Sequence, residues 1–290
     1  MLKPLRAVSV LAVLLCLAPT FVSASDPVHW GYDGEVAPEH WGDLSPDFAA
    51  CAAGKEQSPV DIPATAAVNP PGLRFNYEPS ALNIVNNGHT IQVNYNGGST
   101  LEFDGAAYPL LQFHLHALSE HTLNGAHTAM ELHLVHKDGN GRIAVVGVMI
   151  EEGAHNPTYE TILAHMPVES GEPETIHGAS LNSAELLPAE RSYYRYNGSL
   201  TTPPCTEGVT WFVLAVPVEL STAQVAAFQH LYDHNYRPVQ PLNGRTFLLI
   251  SAQPTSGTSR ALVAALIGLC LLAVALLWAL FRRPRHGASQ

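Results

Sequence analysis

Between Gln112 and His136 the chain reads QFHLHALSEHTLNGAHTAMELHLVH, a run that holds six of its fifteen histidines. His114 and His116 stand two apart in an alternating segment. On a strand, successive side chains point to opposite faces, so these two imidazoles and Gln112 share one face. In the second segment, ELHLVH, the residues Glu131, His133 and Val135 share a face in the same way. If the two strands pair, three imidazoles converge while the leucines between them pack the opposite side. Three neutral imidazoles with an open fourth position form the environment of a catalytic zinc rather than a structural one. Gln112 and Glu131 are groups that accept the second ring N–H of a ligand and fix its tautomer. A lone histidine on a strand is usually an ordinary polar group. Two such strands, with an amide and a carboxylate on the ligand face, exceed what packing requires.

The two ends of the chain read differently from its middle. Residues 1–24 have the pattern of a secretory signal peptide: Lys3 and Arg6, an apolar run from Val8 to Leu17, and the small residues Val22, Ser23 and Ala24. Residues 251–260, rich in Ser, Thr, Gly and Pro, are expected to form a linker. Residues 261–281 carry no charge, and at 1.5 Å per residue they match about 30 Å of hydrocarbon. Arg282, Arg283 and Arg285 follow this run and only Arg260 precedes it. The positive-inside rule therefore predicts a single transmembrane helix with a cytoplasmic tail, 282–290, and a domain on the periplasmic or extracellular side.

That domain, 25–250, is long for one unit but within the range of a large β-rich one. It contains all 25 acidic residues and eight of the 14 basic ones, a net charge of −17. Such a charge disfavours nucleic acid or anionic lipid as a partner. Only Cys51 and Cys205 lie within it, and in an oxidising compartment an isolated pair predicts a disulfide.

Short apolar or alternating runs predict strands at 82–85, 90–95, 100–103, 110–116, 130–136, 143–150, 210–216 and 246–250, separated by Asn-Gly, Gly-Gly, Asp-Gly and Pro signals. Asn86-Asn87-Gly88 and residues 138–141 look like hairpin connections. Helical signals are few. Ser221 to Gln224 is a capping box ahead of Val225, Phe228 and Leu231, and Asn156-Pro157 opens a second short helix. Periodicity alone yields a mostly β fold.

Several runs taken together resemble the α-class carbonic anhydrases, in that family's order and spacing. They are HWGY from His29, QSPVDI from Gln57, NNGH from Asn86, QFHLH, SEHT, ELHLVH, SLTTPPCTEGVTWFVL from Ser199 and NYRPVQPLN from Asn235. The resemblance covers residues 28 to 250. It implies a single domain with a large, mainly antiparallel central sheet, few short helices and a conical cleft. It also implies zinc on His114, His116 and His133, with Gln112, Glu131 and the Asn235 backbone behind them. Thr201 is expected to accept a hydrogen bond from zinc-bound hydroxide and to donate one to Glu120. Thr202 lies beside it, and Val135, Val145, Leu200 and Trp211 match the apolar wall for carbon dioxide. His89 and Tyr32 match the side of the cleft by which the proton leaves.

The implied reaction is reversible hydration of carbon dioxide to bicarbonate and a proton, with sulfonamide-type compounds and anions as expected inhibitors. The rival readings are a non-catalytic extracellular binding module on the same fold and a zinc esterase. Ala117 and Leu118 depart from the Trp-Gly common in animal members. The short loop to Glu120 resembles bacterial members, and it implies somewhat weaker metal binding. Asn197-Gly198-Ser199 is formally a glycosylation sequon but abuts the Thr201 run, and is read as incidental.

Overall fold

The computed structural model describes residues 28–248, apart from Ala67, Pro70, Pro71 and Asn96. The expected signal peptide, linker, transmembrane helix and tail lie outside the described residues. Among the described residues no helix is long and apolar enough to cross a membrane.

Thirteen strands are described. They are β1 (Asp61–Ile62), β2 (Arg74–Asn76), β3 (Ser80–Asn86), β4 (Ile91–Asn94), β5 (Thr100–Phe103), β6 (Ala106–His116), β7 (Thr122–Leu123), β8 (Met130–Lys137), β9 (Ile143–Glu152), β10 (Glu174–Leu181), β11 (Tyr193–Ser199), β12 (Glu207–Leu214) and β13 (Val218–Leu220). Four short α-helices accompany them: α1 (Trp41–Leu44), α2 (Ala50–Ala53), α3 (Pro157–Leu163) and α4 (Thr222–Gln229). The main sheet runs β10-β3-β4-β6-β8-β9-β12-β11, with β2, β5 and β13 attached beside that path.

The sheet is mixed. Antiparallel pairing dominates, as expected, but β12 and β13 both run parallel to β9. Parallel neighbours need a long crossover, and the chain from 153 to 206 provides it by way of α3, β10 and β11. Both expected hairpins join antiparallel pairs, β3 with β4 and β8 with β9. Both helical signals act as read: Asn156 caps α3 with Pro157 in its first turn, and Ser221 and Gln224 form a reciprocal capping box on α4.

Of the strand expected at 246–250, residues 249 and 250 lie outside the described residues. Thr246 to Leu248 form no strand; among the described residues this segment's backbone bond runs from Leu248 N–H to the Arg195 carbonyl. Six strands were not anticipated from the sequence: the short β1, β2, β7 and β13, tyrosine-rich β11, and β10, which is mostly exposed at the sheet edge and so lacks an apolar pattern.

Strand alternation sorts side chains onto two faces. Phe113, Leu115, Leu132, Leu134, Val146, Val148 and Phe212 point into the larger core behind the sheet. The opposite face carries Gln112, His114 and His116 on β6, with Glu131, His133 and Val135 on β8. There a smaller apolar cluster gathers around Val145, Met149, Trp211 and Val213. Cys51 and Cys205 are joined by a disulfide, as expected, with Cα atoms 5.0 Å apart; they pack with Trp41.

Candidate metal centre and active site

The pairing of β6 with β8 sets Gln112 opposite Val135, His114 opposite His133, and His116 opposite Glu131. One residue of slip in either strand would send that strand's three side chains to the other face. In this register the ligand-capable atoms of His114, His116 and His133 lie within 4.8 Å of one another.

Each imidazole is held through one nitrogen and presents the other. His114 Nδ1 meets Gln112 Oε1 at 2.8 Å, and His116 Nδ1 meets the Asn235 carbonyl at 2.6 Å. His133 is held through Nε2, 2.9 Å from Glu131 Oε1. A carbonyl and a carboxylate accept only, so the held nitrogens carry the protons. The nitrogens left as lone-pair donors are Nε2 of His114 and His116 and Nδ1 of His133. His116 Nε2 is buried without any hydrogen-bond partner. A buried polar atom left in this way is costly, and a metal ion satisfies it. The donor set and its free lone pairs fit zinc.

The supporting groups are themselves tied down. Glu131 accepts the His121 N–H at 2.8 Å, His121 Nδ1 at 2.7 Å and His133 Nε2. His121 Nε2 in turn lies 2.7 Å from Tyr196 Oη, which is 2.9 Å from Ser58 Oγ. Burial alone favours the neutral acid at Glu131, but His121 and His133 outweigh it and hold the carboxyl well below its usual range. Burial pushes His114 well down, reinforced by His116 and His133, and it also lowers His116. At His133 burial acts downward too, but Glu131 more than offsets it and the net shift is upward.

Gly147 on β9 faces His133 across the strand pair. A Cβ at that position would stand 2.8 Å from Glu131 Oε1, so the missing side chain is the space the carboxylate occupies. Asn235 stitches the far side: its Oδ1 accepts Ala117 N–H at 2.8 Å, and its Nδ2 donates to the carbonyls of Leu115 and His89. Ala117, where an aromatic residue was noted as missing, is thus bracketed by an asparagine.

Glu120 is fully buried. Its Oε1 accepts the Arg237 N–H at 2.8 Å. Its Oε2 has no partner and lies 3.7 Å from His116 Nε2 and 3.8 Å from His133 Nδ1. Thr201 is buried as well, but its expected bond to Glu120 is not formed here. Val135, Val145, Leu200 and Trp211 do come together in one apolar cluster, with the Trp211 ring centroid 4.9 Å from that of His133. Trp211 Nε1 donates to the Ser199 carbonyl. Ser199 is fully buried, whereas Asn197 of the same sequon is exposed.

A cavity of about 110 Å³ joins His114, His116 and Thr202 to His89, Trp30 and Tyr32. A neighbouring cavity of about 230 Å³ shares Trp30, Tyr32 and His89 and opens toward His29, Asp233 and His234. His89 is half-buried and stacks on Trp30 with ring centroids 3.7 Å apart and planes 6° from parallel. Burial, then the nearby His29, lowers its pKa. Burial, followed by Glu120 and Tyr232, raises that of Tyr32 well above the usual phenol value.

Sequence reasoning assigned no role to His121 or Arg237. His121 stood inside the SEHT run, and its fixed spacing from Glu131 was the only available hint. Arg237 had a stronger signal, as one of eight basic residues in an acidic domain, set between Tyr236 and Pro238.

Fold and site together define a class of protein in which three imidazoles on adjacent strands, able to hold a metal ion, converge beside an apolar pocket. The family model for the eukaryotic-type carbonic anhydrases matches residues 36–250. A carbonic anhydrase from Nostoc sp. is 43% identical over 249 residues, covering 84% of this chain and 94% of that protein. The structure of the α-carbonic anhydrase from Thermovibrio ammonificans with the inhibitor sulfanilamide superposes with a TM-score of 0.74 at 46% identity. It covers 78% of this chain and all of that one. Dioscorin complexed with ascorbate superposes at 0.69 with 28% identity, covering 77% of this chain and all of that one. The chain belongs to the eukaryotic-type, or α, carbonic anhydrase family. It is a zinc enzyme for the reversible hydration of carbon dioxide to bicarbonate and a proton.

Proposed function

We propose that His114, His116 and His133 hold the zinc and that Thr201, Glu120 and His89 complete the catalytic machinery. The observation that carries this reading is the set of three nitrogens left bare and convergent once Gln112, Asn235 and Glu131 have taken the other three. Zinc on neutral ligands keeps its full charge and supplies a nucleophile by lowering the pKa of water to about 7, the established value for this enzyme family.

The chain's own residues do the rest. A threonine whose one proton is committed to a carboxylate keeps its oxygen as acceptor, and so can aim the lone pair of a nucleophile. Glu120 suits the carboxylate role because Oε1 is already held and Oε2 is bare on the imidazole side. Carbon dioxide has no net dipole, so the dry wall of Val135, Val145, Leu200 and Trp211 suits it, with Thr202 at the edge of the same space. His89 takes the proton outward along the cavity that it shares with Tyr32. The same pocket is expected to take sulfonamides and small anions, by analogy with the Thermovibrio neighbour.

Replacing His116 by Ala should abolish zinc binding and hydration together. A zinc-loaded, fully active His116→Ala protein would refute the ligand assignment. Dioscorin shares the fold, and fold alone does not carry an activity; the retained ligand set supports catalysis here.

The apolar run 261–281, with its arginine-rich flank, supports a domain tethered outside the cytoplasm. Protease added to intact cells or spheroplasts should digest the domain. Protection equal to that of a cytosolic marker rules this topology out.

A further inference from the structure

Arg237 is the one lysine or arginine side chain that is buried among the described residues. Burying a charge is expensive unless it is well paired, yet no carboxylate forms an ion pair with this guanidinium among the described residues. It donates instead to three neutral acceptors. Nη2 reaches the Cys51 carbonyl at 2.8 Å, and Nη1 reaches Gln57 Oε1 at 2.9 Å and the Ser58 carbonyl at 2.8 Å. The guanidinium also lies over the Trp41 ring, 5.7 Å from its centroid. Burial brings its pKa down to about 10 against the opposing pull of Glu120.

These partners belong to two arms of the active site. Cys51 is bonded to Cys205, whose N–H closes the turn after Thr201 by donating to the Thr202 carbonyl at 2.9 Å. Gln57, held through Oε1 by Arg237, donates through Nε2 to the Cys205 carbonyl at 3.1 Å. The turn that carries Thr201 is therefore tied to Arg237 twice. The other arm is Glu120, whose Oε1 takes the backbone N–H of Arg237 itself. With Oε1 occupied, Oε2 faces the imidazoles unpartnered.

We infer that Arg237 is a positioning residue that sets Thr201 against Glu120, holding one through the disulfide arch and Gln57 and the other through its own N–H. The inference rests on the reading of Thr201 and Glu120 as the pair that orients the nucleophile. The three acceptors diverge, and a planar fork of fixed N–H groups reaches all of them where a single ammonium does not. An apolar side chain of similar length leaves the Cys51 and Ser58 carbonyls and Gln57 Oε1 without this donor, which frees the Thr201 arm and removes the anchor that fixes the N–H holding Glu120.

The test is a double-mutant cycle in the full, zinc-loaded chain, reading kcat/KM for carbon dioxide hydration and zinc content in Arg237→Met, Glu120→Gln and the double variant. Arg237→Met should keep one zinc per chain and lose about 10- to 100-fold in kcat/KM, the range seen when groups that orient a metal site are removed. In the Glu120→Gln background the same change should cost less than about threefold, because the arm it positions is already disabled. A loss that adds in full to that of Glu120→Gln, or an unchanged kcat/KM in Arg237→Met, overturns the inference. If Glu120→Gln alone leaves kcat/KM intact, the pair itself is misassigned and the inference falls with it; that outcome is read from a separate corner of the cycle. Should Arg237→Met not fold, Arg237→Lys keeps the charge but not the fork and carries the same expected cycle.

Discussion

Gly147→Ala adds one methyl group at the most constrained point of the site. The new Cβ would stand 2.8 Å from Glu131 Oε1, 3.6 Å from Val213 Cγ2 and 3.8 Å from Trp211 Cζ3. Non-bonded carbon contacts settle near 3.5–4.0 Å, so the two apolar neighbours tolerate the methyl and the carboxylate does not. Glu131 has no free rotation with which to yield. It holds His121 through two bonds, at 2.8 and 2.7 Å, and His133 through a third at 2.9 Å. Moving it breaks at least one bond to a charged acceptor, worth about 1.5–3 kcal/mol. If the bond to His133 is the one lost, that ligand is no longer fixed in the tautomer that presents Nδ1. At about 1.4 kcal/mol per decade the loss is roughly 10- to 100-fold in zinc affinity, the range expected for an outer-shell partner. Competition against a chelator of known affinity measures it directly. Gly139→Ala serves as control, since nothing lies within 4 Å of its Cβ. Equal zinc affinity in Gly147→Ala and the wild type would show that Glu131 does not hold the site together in the manner described.

Two further outcomes follow from buried or half-buried histidines. His136 lies in the rear core, 2.6 Å from Tyr77 Oη, and burial holds its pKa near 3 against an ordinary 6.5. Between those values the unfolded chain binds a proton that the native state does not, so stability is complete above pH 6.5 and is lost as pH falls toward 3. The gap corresponds to about 5 kcal/mol at most. Urea unfolding at stepped pH should show a flatter acid limb in the Tyr77→Phe/His136→Leu double variant; identical slopes in variant and wild type exclude His136 as the source. His89→Ala should slow turnover in weak buffer by about tenfold or more while leaving kcat/KM nearly intact, because proton export follows the chemical step. Added imidazole should restore the rate, and in the unmodified protein that buffer-limited rate should rise with pH through an apparent pKa below 6.5. Equal losses in kcat and kcat/KM, without imidazole rescue, assign His89 another part.

The ligand triad was legible because a strand has period two. Once His114, His116 and His133 were placed in alternating runs, pairing alone decided that they meet, and Gln112 and Glu131 came with them. The disulfide was legible because only two cysteines remained in the domain. What stayed hidden depends on contacts between residues far apart in sequence. Asn235 serves the site through its backbone carbonyl, which no residue type announces, and 119 positions separate it from His116. Gly147 matters for the atom it lacks, and only the register of β8 with β9 shows what fills that space. The edge strand β10 has no buried face to give it a pattern, and the parallel pairing of β9 with β12 follows from a crossover whose length is visible but whose destination is not. The Thr201 hydroxyl was expected on Glu120; the fold buries both residues and leaves Glu120 Oε2 bare on the imidazole side.

The central claim is that this chain hydrates carbon dioxide through one zinc on three histidines. Stopped-flow measurement of carbon dioxide hydration tests it most directly, on the purified chain as isolated, after zinc is stripped by a chelator, and after zinc is returned. The account predicts loss of activity on stripping and full recovery at one equivalent of zinc per chain. A zinc-loaded chain with no hydration above the buffer rate, or one whose rate is indifferent to stripping, would contradict it.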